Sequence, residues 1–119
     1  IGGRSDFEQA VTQVRQPLFV VLSNGDIRNR YQVRVGNISD HDETYLLAVR
    51  GVPASAADFG DFPKVTEKSG KSVMVQISVK LPPEQAVRTD GFDFTITPKS
   101  RPTDVHVYHA RFYTRKDLP

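Results

Sequence analysis

The chain has 119 residues, with 16 lysines and arginines against 14 aspartates and glutamates, and no cysteine or tryptophan. That length holds one domain with its own core; the missing cysteines exclude disulfides and thiolate metal sites, and the dispersed charge lacks the dense basic cluster that tracking a nucleic-acid backbone needs. No apolar run approaches the roughly 20 residues of a membrane span, and since the first residue is Ile1 rather than Met, we expect an excised piece of a longer protein.

Residues 1–6, IGGRSD, read as a disordered lead-in or linker. Val11 and Val14 among polar residues predict a short edge strand that pairs loosely before Pro17 interrupts it. Leu18–Leu22 then reads as the second half of that split strand. Asn24-Gly25 between two apolar runs predicts a hairpin with a type I′ turn, in which both central residues take positive φ. Ile27–Asn37 follows as a long strand with Tyr31, Val33 and Val35 facing inward.

After the polar turn Ser39–Glu43, the alternation of Tyr45, Leu47 and Val49 predicts a strand buried on most of both faces, ending at Gly51-Val52-Pro53. Pro53–Lys64 reads mostly as loop, with Phe59 and Phe62 plugging one end of the core. Val65 begins a short strand. Val73, Val75, Ile77, Val79 and Leu81 then form five inward positions in strict period two, with Met74 on the outer face. Pro82-Pro83 ends that strand and opens a single helical turn. Phe92, Phe94 and Ile96 alternate in the next strand. In the closing segment from Val105 to Thr114 two readings compete, Tyr108, Ala110 and Phe112 inward or Val105 and Val107 inward with a switch at a bulge, and we take the first. Seven to eight strands with no βαβ pattern predict an all-β fold, an immunoglobulin-like β-sandwich of antiparallel strands in two sheets over residues 7–115, with 116–119 as a tail.

The run PLFVVLSNGDIRNRYQVRVGNIS from Pro17 to Ser39, the YLLAVRGVP strand end, VMVQISVKLPPE and GFDFTI together resemble the C-terminal immunoglobulin-like domain of the FixG family, also called CcoG. The resemblance covers about Val11 to Phe112. It implies a parent that is an inner-membrane protein with a cysteine-rich, ferredoxin-type region for iron–sulfur clusters, associated with assembly of cbb-type haem–copper oxidases and with a proposed role in copper reduction. The cluster-binding cysteines would lie in the rest of the parent, so no cofactor is expected in this fragment. Family topology implies a periplasmic domain, not a nucleic-acid binder, that contacts protein partners of the oxidase assembly pathway. The tail from Arg111 to Pro119 lies beyond the resemblance and receives no role.

A copper role for the parent directs attention to the histidines and Met74. His106 and His109 lie three apart on a predicted strand, so they point to opposite faces and cannot chelate one ion. Asp40-His41-Asp42-Glu43 offers nitrogen and oxygen donors in one turn and is the weak metal candidate, against a hydrophilic turn as the plainer reading. No serine sits in a G-x-S-x-G elbow, and we assign no catalytic residue. Asp58/Asp61 and Asp90/Asp93 read as loop solvation, Asn29 as a side chain that hydrogen-bonds neighbouring backbone, and Asn37-Ile38-Ser39 as a glycosylation sequon. Two alternatives stand beside the protein-contact reading: a copper-handling module built on Asp40–Glu43, and a carbohydrate-binding sandwich, which the lack of tryptophan disfavours.

Overall fold

The structure, a computed structural model, describes residues 7–60 and 64–117. Nine strands occur among these residues: β1 (Phe7–Gln13), β2 (Val20–Val21), β3 (Ile27–Asn37), β4 (Glu43–Arg50), β5 (Ala57–Asp58), β6 (Lys64–Glu67), β7 (Ser72–Leu81), β8 (Gly91–Pro98) and β9 (His106–Arg111). They form two antiparallel sheets. The first runs β1-β3-β7-β5 with β2 also on β3, and the second runs β6-β4-β8-β9.

The first strand is split as expected, because proline has no N–H to give a ladder and must sit where pairing stops. Its halves pair in tandem along one edge of β3, Phe7–Gln13 opposite Asn37–Tyr31 and Val20–Val21 opposite Arg28–Ile27. The expectation of loose pairing is corrected: β1 is in register over all seven residues, because Phe7 and Val11 reach into the core. The turn is corrected too. Gly25 alone in it has positive φ, 91°, and the Gly25 N–H donates to Leu22 O at 2.9 Å. The loop is therefore the three residues Ser23–Gly25 rather than a type I′ pair, with the glycine in the left-handed position that such hairpins require. Asn24 stays in ordinary space because its Oδ1 accepts the Asp26 N–H at 3.0 Å.

Side chains at alternate positions meet between the sheets. Tyr31, Val33 and Val35 of β3, and Val75, Ile77, Val79 and Leu81 of β7, are almost fully removed from water, each such apolar side chain contributing about 1.5–3 kcal/mol. From the second sheet come Tyr45, Leu47, Phe92, Phe94 and Ile96. Tyr31, Phe92 and Phe94 stack edge-to-face with centroids 4.9–5.3 Å apart, a geometry worth about 0.5–1.5 kcal/mol per pair beyond burial. Tyr108, Ala110 and Phe112 do face inward, and Phe59 packs on the core's margin, while Phe62 lies outside the described residues. Gly91 in β8 is dictated by proximity: a Cβ there would stand 2.6 Å from the Ala110 carbonyl oxygen.

One expectation for β4 fails. Ala48 and Arg50 are exposed and only the Tyr45/Leu47 side is deeply buried, because among the described residues no layer covers the outside of the second sheet. The stretch from Pro53 also carries more order than a loop, with a 3-10 turn at Ala54–Ala56 leading into β5. The single helical turn expected at Pro83 is present as α1 (Pro83–Ala86). No helix among the described residues is long and apolar enough to cross a membrane.

Candidate functional site

The buried side chains of Asn29, Asn37 and Glu43 are tied into the scaffold. Asn29, wholly enclosed in β3, accepts from the Gln13 amide at 2.8 Å and from the Tyr113 N–H at 2.8 Å, and donates to Tyr113 O at 2.9 Å. It does bond backbone, but backbone 84 residues away rather than neighbouring. Beside it the Tyr31 hydroxyl donates to Arg111 O at 2.5 Å, and burial first, then the nearby Tyr113, push that phenol well above its ordinary pKa. Together they fasten the segment after β9, where Phe112 and Thr114 are buried and a 3-10 turn at Arg115–Asp117 follows. Lys116 reaches back to Asp90 at 2.7 Å, and that hydrogen bond and charge hold the Asp90 carboxyl below its usual value. Asp90 is thus the ion-pair partner of Lys116 and Asp93 the hydrogen-bond partner of His109, and neither is merely loop solvation.

The turn between β3 and β4 is built on Asn37. Its Nδ2 donates to His41 O at 2.8 Å and Glu67 O at 3.0 Å, and its Oδ1 accepts from the Ser39 N–H and hydroxyl. The sequon asparagine is therefore used up inside the fold. His41 follows with Nδ1 3.2 Å from Asp40 Oδ1 and Nε2 3.9 Å from Glu43 Oε2; the His41 hydrogen bond holds the Asp40 carboxyl below its ordinary value. Asp42 turns the other way, towards the Ser69 N–H at 3.4 Å. Glu43 is nearly buried and its Oε1 accepts from the Ser100 N–H at 2.9 Å and hydroxyl at 2.6 Å. Burial works to raise this carboxyl, but the Ser100 hydrogen bonds, helped by His41 and Arg101, outweigh it, so Glu43 ionises below its ordinary 4.5. The four candidate ligands are neighbours in sequence whose carboxylates are aimed at three different partners. Among the described residues no group of three or more His, Asp or Glu is gathered in a geometry that could hold a metal ion.

The remaining candidates are dispersed. His106 packs on the Phe7 ring at 4.4 Å and reaches Asp104 at 3.0 Å, on the inward side of β9. His109 stands outside against Asp93, so the two imidazoles do take opposite faces. Met74 lies half-exposed on the outer face of β7. Asp58 uses its Oδ1 to accept the Gly60 N–H at 2.8 Å, while Asp61 is outside the described residues. Of the tyrosines, Tyr31 and Tyr45 are buried and Tyr108 spends its hydroxyl on Gln9 O at 3.1 Å, which leaves no row of exposed rings among the described residues to receive a sugar.

What the sequence reading passed over is the outer face of the first sheet. Arg28, Arg30 and Arg34 alternate with the buried residues of β3, and Arg28 is paired directly across from Lys80 of β7. Ser78 separates Arg30 from Asp58 of β5. Arg28, Arg30, Asp58, Ser78 and Lys80 line a surface trough with adjoining compartments of about 500 and 430 Å³, and Arg34 lies further along β3. The signal was available in the spacing, since positions two apart on a strand share a face.

A family model described as "IG-like fold at C-terminal of FixG, putative oxidoreductase" matches residues 1–115. The chain belongs to this family. The FixG nitrogen fixation protein of Rhizobium meliloti is 32% identical over 118 residues, 92% of this chain but 22% of that protein. Protein RdxA of Cereibacter sphaeroides is 52% identical over 48 residues, 40% of this chain and 10% of RdxA. The chain thus spans about a fifth or less of these relatives. The crystal structure of a FixG-related protein from Vibrio parahaemolyticus superposes with a TM-score of 0.77 at 19% identity, covering 94% of this chain and 99% of that one, which establishes the shared fold. The FixG-type C-terminal domain is accordingly an immunoglobulin-like sandwich here, and its family model reaches four residues into the segment after β9.

Proposed function

We propose that this chain is the non-catalytic, periplasmic contact domain of a FixG-type membrane iron–sulfur protein, and that it positions its parent against protein partners in cbb-type oxidase assembly. One observation carries the reading. Asn29, Tyr31, Asn37 and Glu43, the interior groups with the chemistry to act on a ligand, are each hydrogen-bonded to the domain's own backbone or side chains, so the domain's functional groups lie on its outside. Family membership supports the parentage, and a rigid sandwich with open sheet faces suits recognition of another protein.

The experiment uses the full-length parent in its own membrane. A photo-cross-linker at Val107, exposed on the outer face of the second sheet, and another at Ser78 should each be tried, alongside deletion of residues 7–117. The reading expects a discrete protein adduct from at least one position and a loss of assembled oxidase on deletion. Normal oxidase assembly without the domain, or no adduct from either face, would refute it. The copper-handling alternative requires micromolar or tighter copper binding by the 119-residue chain that is lost in His41→Ala. The commitments of Asp42 to Ser69 and Glu43 to Ser100 weigh against it.

A further inference from the structure

The outer face of the first sheet has a charge arrangement that the fold does not need. Arg28 and Lys80 are cross-strand neighbours, and like charges placed directly opposite destabilise a sheet. Arg30 and Arg34 extend the same face along β3. Among the described residues, no ion pair engages Arg28, Arg30, Arg34 or Lys80. The Nε of Arg28 is enclosed and lacks any hydrogen-bond partner, although a buried donor ordinarily has one. Among the described residues Asp58, on the far wall, is the one acid lining the trough, and one of its oxygens is held by the Gly60 N–H. Ser78 is the small residue between these walls.

We infer that this trough binds a carboxylate-bearing extended segment of a partner protein, with Arg28 and Arg30 as the carboxylate anchors and Lys80 as an additional positive charge. A guanidinium presents donors in a fork that matches a carboxylate, and Arg28 and Arg30 both line the trough. An aspartate or glutamate side chain entering over Ser78 meets Arg28 and Arg30 on one side, and its peptide backbone lies along the trough. The occupant is acidic peptide because Arg28, Arg30 and Lys80 outnumber Asp58 among the described lining residues, and one Asp58 oxygen is already engaged by the Gly60 N–H. A flat lipid surface would meet the arginine tips and leave the groove unfilled. This assignment rests on the protein-contact reading above and names the chemistry of the partner.

The test measures binding of the 119-residue chain to a fluorescent ten-residue peptide with alternating Glu and Ser, and to its Gln/Ser counterpart. The same titrations are run with phosphatidylglycerol vesicles, and the chain's self-association is followed by sedimentation. The inference expects the acidic peptide to bind at least tenfold tighter than the neutral one, weakening as salt screens the contact. Binding should fall at least tenfold in R28Q/R30Q with a melting temperature no lower than wild type, while R88Q, in the segment after α1, binds as wild type. Equal binding of the neutral peptide, or undiminished binding by R28Q/R30Q, overturns it. So does arginine-dependent binding to the vesicles but not to the peptide, or a self-associated dimer that R28Q/R30Q dissolves in place of peptide binding. In the full-length parent, a Val107 adduct that survives R28Q/R30Q would remove the trough from the contact and leave the contact reading standing; absence of adducts from both faces would remove that reading itself.

Discussion

Replacing Asn29 by alanine tests how the end of the chain is held. The substitution deletes three hydrogen bonds, all at 2.8–2.9 Å, at a side chain with no exposed surface. Each such bond contributes about 1 kcal/mol net, and leaving the Tyr113 N–H and C=O without partners costs up to about 1–3 kcal/mol apiece. Water reaches part of this region, so a loss of about 3 kcal/mol is expected, a large fraction of the roughly 5–15 kcal/mol that stabilises a domain. At about 4 °C per kcal/mol for a chain of this size, the melting midpoint should fall by about 12 °C. Urea titration of wild type, Asn29→Ala and Tyr31→Phe supplies the free energies, and amide exchange at Tyr113 reports the local fastening. Because Asn29 and Tyr31 hold adjoining parts of one segment, the double variant should cost less than the two single losses added. A loss below about 1 kcal/mol for Asn29→Ala, with Tyr113 protected as before, would refute the account.

Three further outcomes follow from the same geometry. Glu43→Gln removes a carboxylate whose pKa is lowered on folding; its stabilising contribution is present above the unfolded value and is lost as pH falls through the folded one. Wild type should therefore lose stability on acidification below about 4.5, and the variant, less stable at pH 7, should show a shallower loss in denaturation curves at pH 3 to 7. Gly91→Ala drives a methyl to 2.6 Å from Ala110 O and should cost about 1–3 kcal/mol by thermal denaturation, with faster amide exchange at Phe112, whose N–H donates to Asp90 O at 2.9 Å. Folded chain secreted from a glycosylating host should carry no glycan on Asn37 by intact mass, since both of its amide donors point to backbone carbonyls.

The fold was legible where burial alone decides. Period two in Val73–Leu81 and in Tyr31–Val35 places side chains on one face whatever they touch, and Pro17 stops a ladder because it lacks a donor. The facing of the last strand was also recoverable, because Tyr108, Ala110 and Phe112 outrank the valines in what they can fill. Features set by tertiary partners were not legible. The turn type depended on an Asn24 side-chain bond to the Asp26 N–H, and Asn24-Gly25 alone does not encode it. The openness of the outer side of β4 depended on there being no third layer among the described residues. The candidate ligands Asp40–Glu43 looked alike in sequence, yet Ser69 and Ser100, 27 and 57 residues away from their partners, decide where Asp42 and Glu43 point. The basic trough was half legible: spacing puts Arg28, Arg30 and Arg34 on one face, but only the pairing of β3 with β7 and β5 brings Lys80, Ser78 and Asp58 alongside.

The Asn29–Tyr113 bonds also order events in time. Separated by 84 residues, these partners cannot meet during synthesis until Tyr113 has left the ribosome, so the Asn29 amide of β3 waits with only its Gln13 bond while every other strand is already available. Closure at such separation is slow, as in other sandwiches dominated by non-local pairing. A nascent chain halted before Tyr113 would hold nine strands' worth of sequence and still lack its last fastening.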